Sequence, residues 1–317
     1  MSGLPAGAGA LLMTYGSPTS LEEADVAAYL AKVRGGRAAD PELVTEFTRR
    51  YRVIGGSPLI EMTRRQAAAL AERLGAPAEA GMRFSEPSIE TSLRALAARG
   101  VREVAAIILS PQYSPLLMGG YARDIASARA AIGPDAPEVR IAGEWWAEPA
   151  FVEALAGRVR DGLADLARGG HEDTVVLLTA HSLPLRVAQQ EPEYVDQLRA
   201  TAAAVAAAAG VPADRWWFCW QSAGHEPGEW MTPDLKDLVV DLSEAGRRSI
   251  LVAPVQFLSD HLEVLYDVDI GAREQAETRG VRFQRIKSLN ADPELVEALA
   301  RVAAQTLQDH AAASGAR

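Results

Sequence analysis

The chain contains almost no cysteine: Cys219 is the only one among 317 residues. A single cysteine excludes an intramolecular disulfide, a cysteine-based zinc site and a cysteine-ligated iron–sulfur cluster. The chain also lacks an apolar run of the roughly 18 residues that a membrane-spanning helix needs. No basic residue precedes Lys32, although a secretory signal begins with positive charge. We therefore expect a cytoplasmic protein that carries no iron–sulfur cluster and does not bind a membrane.

Positive charge is in deficit as well. The 32 Lys and Arg residues face 42 Asp and Glu residues, which gives a formal net charge of −10. Such a chain is a poor general binder of nucleic acid, because the phosphate backbone attracts basic surfaces. Hydrophobic residues make up 48% of the chain and charged residues 23%, a composition typical of globular domains. The length fits two domains of about 150 residues each.

Short apolar runs alternate with amphipathic stretches along the chain. Several runs are apolar on both faces, as in strands that a parallel sheet buries. The predicted strands are Ala10–Tyr15, Met82–Phe84, Val104–Leu109, Val139–Trp145, Thr174–Ala180, Arg215–Gln221, Ile250–Pro254 and Val281–Lys287. The predicted helices include Glu61–Leu74, Pro149–Leu166 and Val195–Ala209. This alternation predicts an α/β fold with doubly wound parallel sheets.

Four strands followed by four more predict two similar, Rossmann-like domains, each with a roughly four-stranded parallel sheet. We place the boundary where an aromatic pair meets Pro149, so that residues 1–148 form an N-terminal α/β domain and residues 149–292 a C-terminal one. The last helix, within residues 293–317, is expected to pack back on the N-terminal domain or on its neighbour. Parallel sheets bind ligands at the carboxyl ends of their strands. The default site is therefore a ligand cleft between the two domains.

The segments that follow the predicted strands contain no G-x-G-x-x-G, P-loop or G-x-S-x-G motif. Nucleotide binding and α/β-hydrolase chemistry are therefore not indicated. His181 directly follows the strand TVVLLTA. This position suits proton transfer or metal binding, and equally a capping or core histidine.

A second candidate segment, residues 259–267, is acidic. Glu263 and Asp267 are four residues apart, which puts both carboxylates on one face of a helix. Two acids on one face suit a cation or a proton path; a solvated helix face is the alternative. His261 lies two residues from Glu263, so in a regular helix it would point elsewhere, and we expect it to be structural. The histidines expected at the surface are His171, His225 and His310.

A locally basic segment, residues 32–52, runs against the overall charge, since it holds six basic residues and three acidic ones. Arg34 and Arg50 lie in it, together with Tyr51, and a Gly-Gly-Ser57 turn follows. Guanidinium groups near tyrosine and a tight turn suit an anion that carries several carboxylates. The alternative is a helix face with ordinary ion pairs.

Six motifs occur in order along the chain: TYGSP, RRYRVIGGSPL, SPQYS, TAHSLP, CWQSAGHEPGEWMTPDL and SDHLEVLYD. In this order and spacing they resemble the ferrochelatase family, in particular the coproporphyrin ferrochelatases of Gram-positive-type bacteria. The resemblance runs from about Leu11 to the C-terminal helix. It implies the chelatase-like fold, two Rossmann-like domains with a porphyrin cleft between them, which agrees with the count of strands.

The resemblance also implies roles for individual residues. His181 matches the family's catalytic histidine, Glu263 matches the acid that faces it across the porphyrin, and Tyr15 matches a tyrosine at the axial position of the porphyrin iron. These three residues would therefore contact the metal, and Asp267 would extend a secondary metal path. The family often carries a further acid near the far end of that helix, where this chain has Gly271. The substrate-binding residues implied at the propionates and the porphyrin edge are Tyr15, Arg34, Arg50, Tyr51, Ser57 and Tyr121.

The reaction implied is insertion of Fe²⁺ into coproporphyrin III to give coprohaem in haem biosynthesis. Iron is then a substrate, and no tightly bound cofactor is expected. The implied partners are the porphyrin, Fe²⁺ and, transiently, a downstream coprohaem decarboxylase; the chain is expected to be a monomer.

Three alternatives stay open at this point. The first is a protoporphyrin IX ferrochelatase. The second is a chelatase for another tetrapyrrole such as sirohydrochlorin, which would usually use a second histidine where this chain has Glu263. The third is a two-domain binding protein for a carboxylated ligand, which would leave the pairing of His181 with Glu263 without a reason.

Overall fold

The computed structural model describes residues 4–224 and 228–315, with side chains as far as residue 308. Its strands are β1 (Ala8–Thr14), β2 (Ala78–Met82), β3 (Glu103–Ile108), β4 (Glu138–Ile141), β5 (Val175–His181), β6 (Trp216–Gln221), β7 (Ser249–Pro254) and β8 (Arg282–Arg285). Its α-helices are α1 (Glu23–Val33), α2 (Pro41–Val53), α3 (Leu59–Leu74), α4 (Ile89–Ala98), α5 (Pro115–Ile132), α6 (Pro149–Arg168), α7 (Leu185–Gln190), α8 (Pro192–Ala208), α9 (Leu235–Glu244), α10 (Arg273–Glu277) and α11 (Pro293–Gly315). A π-helix spans Glu263–Ala272. His225 and the side chain of His310 lie outside the described residues.

Each of the two sheets is parallel throughout and has four strands. The first has the order β2-β1-β3-β4, and the second has the order β6-β5-β7-β8. In both, the earliest strand of the sheet lies between the second and the third, so the strand order reverses beside it. The predicted α/β class with two Rossmann-like, four-stranded parallel sheets is confirmed.

Strand β2 is misplaced in the sequence-based prediction, which put it at Met82–Phe84 rather than at Ala78–Met82. Its first four residues, 78–81, are small or polar. Helix α4 comes very close to the strand: a Cβ on Gly81 would lie 3.1 Å from the Cα of Ile89. Before Met82 the strand therefore lacks the large apolar side chains that mark a strand in a sequence. Phe84 already lies in the loop, where its N–H donates to the carbonyl of Tyr15 at 3.0 Å.

The chain divides into two compact units, and their limits differ from the predicted domains. Unit 1 comprises residues 4–109, 115–145 and 290–315; unit 2 comprises residues 110–114 and 146–289. The division after Trp145 comes three residues before the predicted one. Assigning all of residues 1–148 to one domain was wrong for residues 110–114, because Gln112 donates to Thr201 at 2.9 Å and the N–H of Tyr113 donates to Gln197 at 2.8 Å.

Helix α11 belongs to unit 1, where it packs on α3 and β3. The side-chain amide of Gln66 donates to the carbonyl of Asn290 at 2.7 Å, and Arg73 pairs with Glu297 at 2.6 Å. No helix in the part of the chain that the structure describes is long and apolar enough to cross a membrane.

The first strand of each sheet runs through the core and ends at the point where the strand order reverses, with one side chain placed there. Strand β5 buries all its residues except the last, His181. Strand β1 is buried throughout, and the next residue, Tyr15, is 42% exposed. In open parallel sheets, ligands bind where the strand order reverses. His181 and Tyr15 therefore stand at the position in each unit that such ligands use.

Candidate active site

His181 is fixed by main-chain contacts on two sides. Its backbone N–H donates to the side-chain oxygen of Gln256 at 2.8 Å, and the Gln256 amide in turn donates to the hydroxyl of Tyr194 at 2.6 Å. Its Nδ1 lies 2.5 Å from the carbonyl oxygen of Ser182. A carbonyl only accepts hydrogen bonds, so Nδ1 carries the hydrogen and Nε2 is left to react.

Two imidazoles converge on the carboxylate of Glu263, the first residue of the π-helix. His181 Nε2 lies 3.4 Å from Oε1, and His261 Nε2 lies 2.9 Å from Oε2. The Nδ1 of His261 faces the carbonyl of Ser259 at 2.8 Å. The side chains of His181 and Glu263 are 30% and 35% exposed, so solvent or a ligand can reach them. We call His181, Glu263 and His261 the His–Glu–His cluster.

The contact between His261 and Glu263 can take up a proton. The Nδ1 of His261 faces a carbonyl, which only accepts hydrogen bonds, and an ionised carboxylate also only accepts. With the hydrogen on Nδ1, the Nε2 of His261 and the Glu263 carboxylate are two acceptors that face each other at 2.9 Å. The pair can thus hold a proton beside His181.

The charges of the cluster shift the pKa values of its members in opposite directions. Burial lowers the pKa of His181, but the Glu263 carboxylate, the Ser182 carbonyl and Asp267 together outweigh this effect, so the pKa lies above its usual value. Burial raises the pKa of Glu263, but His181 and His261 outweigh this and hold it well below its usual range. Glu263 therefore stays ionised at neutral pH and stabilises a proton on His181.

The geometry of the cluster differs from two sequence-based expectations. In a regular helix, His261 would point away from Glu263. The π-helix begins only at Glu263, and the backbone before it turns the ring onto the carboxylate. Glu263 was expected to face His181 across a porphyrin. The 3.4 Å contact leaves no room for a ring between these side chains, so the two groups lie side by side.

An arginine holds the segment that carries the cluster. Arg285 makes two hydrogen bonds of 2.8 Å to Asp269 in the π-helix. It also donates to Asp260 at 3.2 Å, and Ser288 donates to the same Asp260 oxygen at 2.7 Å. This network joins β8, the π-helix and the residues just before Glu263. The sequence alone does not reveal this network, because its residues are up to 28 positions apart along the chain.

Asp267 lies close enough to act on the cluster, since its charge also raises the pKa of His181. The far end of the π-helix is different. A Cβ on Gly271 would lie 3.3 Å from the ammonium nitrogen of Lys236. Where the family often has a further acid, this chain therefore places a cationic side chain.

Tyr15 belongs to unit 1 and sits among aromatic rings. Its ring stacks on Tyr121 at 6.0 Å and meets the edge of Phe84 at 5.2 Å. The turn that follows needs glycine: Gly16 has φ +91°, and a Cβ there would lie 2.5 Å from the hydroxyl of Ser85. Ser85 itself donates to the carbonyl of Ser17 at 2.5 Å. These contacts tie the end of β1 to the loop after β2.

The predicted propionate-binding residues also lie in unit 1. Arg34 ends α1, and its buried Nε has no hydrogen-bond partner. Arg50 donates to Glu46 at 2.8 Å; hydrogen bonds from Arg49 and Arg50 lower the pKa of Glu46 to about 2. Within this segment, Arg50 is thus already paired with the carboxylate of Glu46.

The other predicted contacts differ in exposure. Tyr51 and Tyr121 are buried, and burial raises the pKa of Tyr121 well above its usual value. Ser57 accepts from the N–H of Leu59 at 3.4 Å, at the start of α3. The roles of these residues toward a porphyrin stay predictions.

The residues described by the structure contain no group of three or more His, Cys, Asp or Glu side chains arranged to hold a metal ion. The His–Glu–His cluster is joined at hydrogen-bond distances, with one carboxylate shared by two imidazoles. Cys219 is buried, and burial raises the pKa of its thiol. A thiolate there is disfavoured, so Cys219 suits packing rather than reaction.

Of two solved structures that match this arrangement of strands and helices, one is described as a chelatase and the other as structurally similar to chelatases. The sirohydrochlorin chelatase SirB from Bacillus subtilis subspecies spizizenii, solved with cobalt, matches with a TM-score of 0.55 and 14% identity, over 95% of this chain and 96% of SirB. DR2241 from Deinococcus radiodurans, described as structurally similar to chelatases, matches with a TM-score of 0.55 and 16% identity, over 94% of this chain and 54% of DR2241. The fold is therefore that of the chelatases.

Sequence comparison identifies the family within the chelatases to which this chain belongs. A profile of the family Ferrochelatase matches residues 7–307. Ferrochelatase of Deinococcus radiodurans is 39% identical over 302 residues, 93% of this chain and 94% of that protein. Coproporphyrin III ferrochelatase of Geobacillus thermodenitrificans is 36% identical over 308 residues, 94% of this chain and 96% of that protein. The chain belongs to the ferrochelatase family, as the six motifs indicated, and is an enzyme that inserts iron into a porphyrin in haem biosynthesis. The alternative of a binding protein without chemistry is thereby set aside.

Proposed function

We propose that this ferrochelatase inserts Fe²⁺ into coproporphyrin III, with His181 as the base and Glu263 as its partner in proton removal. The observation that carries the chemical part is the His–Glu–His cluster, in which Glu263 touches both imidazoles. The choice of porphyrin is supported by relatives named coproporphyrin III ferrochelatases, such as that of Bacillus subtilis, 33% identical over 94% of this chain and 97% of that protein.

Insertion of Fe²⁺ releases the two pyrrole protons of the porphyrin, and the base must accept them in turn. The neutral Nε2 of His181 takes a proton, and the ionised Glu263 stabilises the imidazolium that forms. His261 on the far side of Glu263 offers a second place for a proton. Because Glu263 bridges the two rings, a proton can leave His181 through it and restore the base for the second transfer.

Distortion of the porphyrin ring is the second contribution to catalysis in this proposal. A flat macrocycle hides its nitrogen lone pairs from an approaching metal ion. A site that fits a puckered ring better than a flat one lowers the barrier, because the puckered shape is closer to the transition state. Iron passes through as a substrate, so its ligands need to release it as well as bind it.

Tyr15 and the arginines of residues 32–52 favour coproporphyrin III over protoporphyrin IX. Coproporphyrin III carries four propionates, whereas protoporphyrin IX carries two propionates and two vinyl groups. Arg34 has a buried Nε without a partner, and a propionate supplies an acceptor for such a donor. The phenol oxygen of Tyr15 would be a hard ligand for the iron of a porphyrin loaded in its ferric form. The roles of Tyr51, Ser57, Tyr121 and Asp267, the contact with a coprohaem decarboxylase, the monomeric state and the cytoplasmic location stay predictions.

We expect coproporphyrin III to give a kcat/KM for Fe²⁺ insertion about tenfold or more above that of protoporphyrin IX, because each charge-assisted hydrogen bond to an extra propionate is worth roughly 1.5–3 kcal/mol. The measurement is a side-by-side anaerobic assay that follows the change in porphyrin absorbance. A clear preference for protoporphyrin IX would overturn the choice of substrate and leave the family assignment intact.

Replacing Arg34 or Arg50 with alanine is expected to weaken the binding of coproporphyrin III by about ten- to a hundredfold. The tetramethyl ester of the same porphyrin should bind both variants almost as well as it binds the unaltered protein. Arg49→Ala is the matched control, since Arg49 shares Glu46 with Arg50 but is 52% exposed. Equal losses for the acid and the ester would show that the arginines only hold the segment together.

A further inference from the structure

Arg83, which follows β2, lies at the centre of an aromatic group that no motif in the sequence marked. The carbon of its guanidinium lies 4.7 Å from the ring centre of Phe84, 5.1 Å from that of Tyr121 and 5.8 Å from that of Tyr15. Its side chain is only 14% exposed, and its Nε donates to Asp124 at 2.7 Å. The cation is therefore held by one carboxylate and three ring faces.

Helix α5 has a gap for this guanidinium at Gly120. A Cβ at Gly120 would lie 2.1 Å from Nη2 and 2.4 Å from Nη1 of Arg83, so no other residue leaves the guanidinium in place. The preceding residue, Gly119, is different: a Cβ there would lie 3.5 Å from Arg123, which is ordinary contact. Glycine is unfavourable inside a helix. The position of the Arg83 guanidinium therefore explains why residue 120 is glycine, and it does not explain Gly119.

We propose that Arg83 is a positioning residue for Tyr15: its guanidinium, admitted by Gly120 and anchored by Asp124, holds the phenol ring in the orientation from which its oxygen binds the porphyrin iron. This inference rests on the proposed function, in which Tyr15 is the axial ligand.

The physical reason is the exposure of Tyr15. A side chain that is 42% exposed at the end of a strand is oriented by the groups on its buried side, here the rings of Tyr121 and Phe84 and the guanidinium of Arg83. A cation attracts the negative faces of aromatic rings, so one guanidinium shared by Tyr15 and Tyr121 couples the exposed ring to a buried one. Tyr121 is 3% exposed and cannot move freely. The orientation of the Tyr15 ring is then set by the buried ring of Tyr121 through the shared guanidinium.

The decisive comparison uses the two adjacent glycines of α5. Gly120→Ala pushes the guanidinium of Arg83 away and removes no functional side chain, whereas Gly119→Ala makes the same change in helix propensity without touching Arg83. Each full-length variant is loaded with ferric coproporphyrin III, and the tyrosinate-to-iron charge-transfer absorption is recorded. The kcat and the KM for coproporphyrin III are measured on the same samples.

We expect Gly120→Ala to lose at least about half of the charge-transfer absorption, because the ring loses the cation that orients it, while the KM stays within about twofold. Gly119→Ala should keep both the absorption and the kinetic constants. Should Gly120→Ala fail to fold, Arg83→Lys and Arg83→Met provide the test. The lysine variant, which keeps the cation, should retain more of the absorption than the methionine variant.

Tyr15→Phe separates this inference from the proposed function. If Tyr15→Phe abolishes the absorption but Gly120→Ala and Arg83→Met keep it in full, the inference is wrong and the role of Tyr15 stands. If Tyr15→Phe keeps the absorption, Tyr15 is not the axial ligand and both ideas fail. Equal loss in Gly119→Ala and Gly120→Ala would also overturn the inference, since the change would then come from the helix rather than from Arg83.

Discussion

His181→Ala is expected to abolish insertion of Fe²⁺ while the affinity for coproporphyrin III stays near that of the unaltered protein. The substitution removes Nε2, which lies 3.4 Å from Glu263 and which accepts the pyrrole protons in the proposed mechanism. General base catalysis contributes about 10²–10⁴-fold, and here the same group is needed twice in each turnover. The measurement is the rate of porphyrin metallation, with affinity determined separately from the quenching of porphyrin fluorescence.

The fold should tolerate this change. His181 is the last residue of β5, its side chain is 30% exposed, and the hydrogen bond to Gln256 uses its backbone N–H. His171→Ala is the control, because the carbonyl of His171, and not its ring, accepts from Thr174. A His181→Ala protein that inserts iron at the rate of the control would show that another group takes the protons.

Glu263→Gln is expected to slow insertion by about 10²–10⁴-fold, the range of general acid–base groups. The amide keeps the shape of the carboxylate but loses the charge that stabilises a proton on His181. It also puts an NH₂ group, a donor, beside one of the two imidazoles. The rate of metallation is measured under saturating porphyrin and Fe²⁺, so that the loss appears in kcat.

Glu274→Gln serves as the matched control, because Glu274 lies in α10, directly after the π-helix, and its carbonyl, which accepts from the N–H of Thr278 at 3.0 Å, is unchanged by the substitution. Its kcat should equal that of the unaltered protein. A Glu263→Gln protein that unfolds at lower temperature yet metallates at full rate when folded would show that Glu263 is a structural acid.

The fold could be predicted well because strands β1, β3, β5 and β7 are buried on both faces. The run TVVLLTA is buried without interruption, and His181 is the first residue after it that is not buried. Strand β2 was misplaced because the close approach of α4 requires small residues such as Gly81. Periodicity detects burial by large side chains, and it fails where the backbone itself is the contact surface.

The site was predictable in its residues but not in its contacts. His181 and Glu263 follow from the motifs, yet their direct contact depends on how the segment after β7 returns beside β5. The contact of His261 with Glu263 was not predicted, because the sequence does not show that the π-helix starts at Glu263. Arg285 and Arg83 were not identified at all, since each acts through side chains brought together only by tertiary packing.

That His181 takes the pyrrole protons while Glu263 raises its pKa is tested most directly by the pH dependence of kcat/KM for Fe²⁺ insertion. Only the neutral imidazole accepts a proton, so kcat/KM should rise as the pH increases through an apparent pKa above 6.5, the ordinary value for histidine. In Glu263→Gln the carboxylate no longer opposes the effect of burial, so this pKa should fall, with Asp267 and His261 unchanged beside it. The same apparent pKa in both proteins, or an activity that declines as the pH rises through this range, would contradict the account.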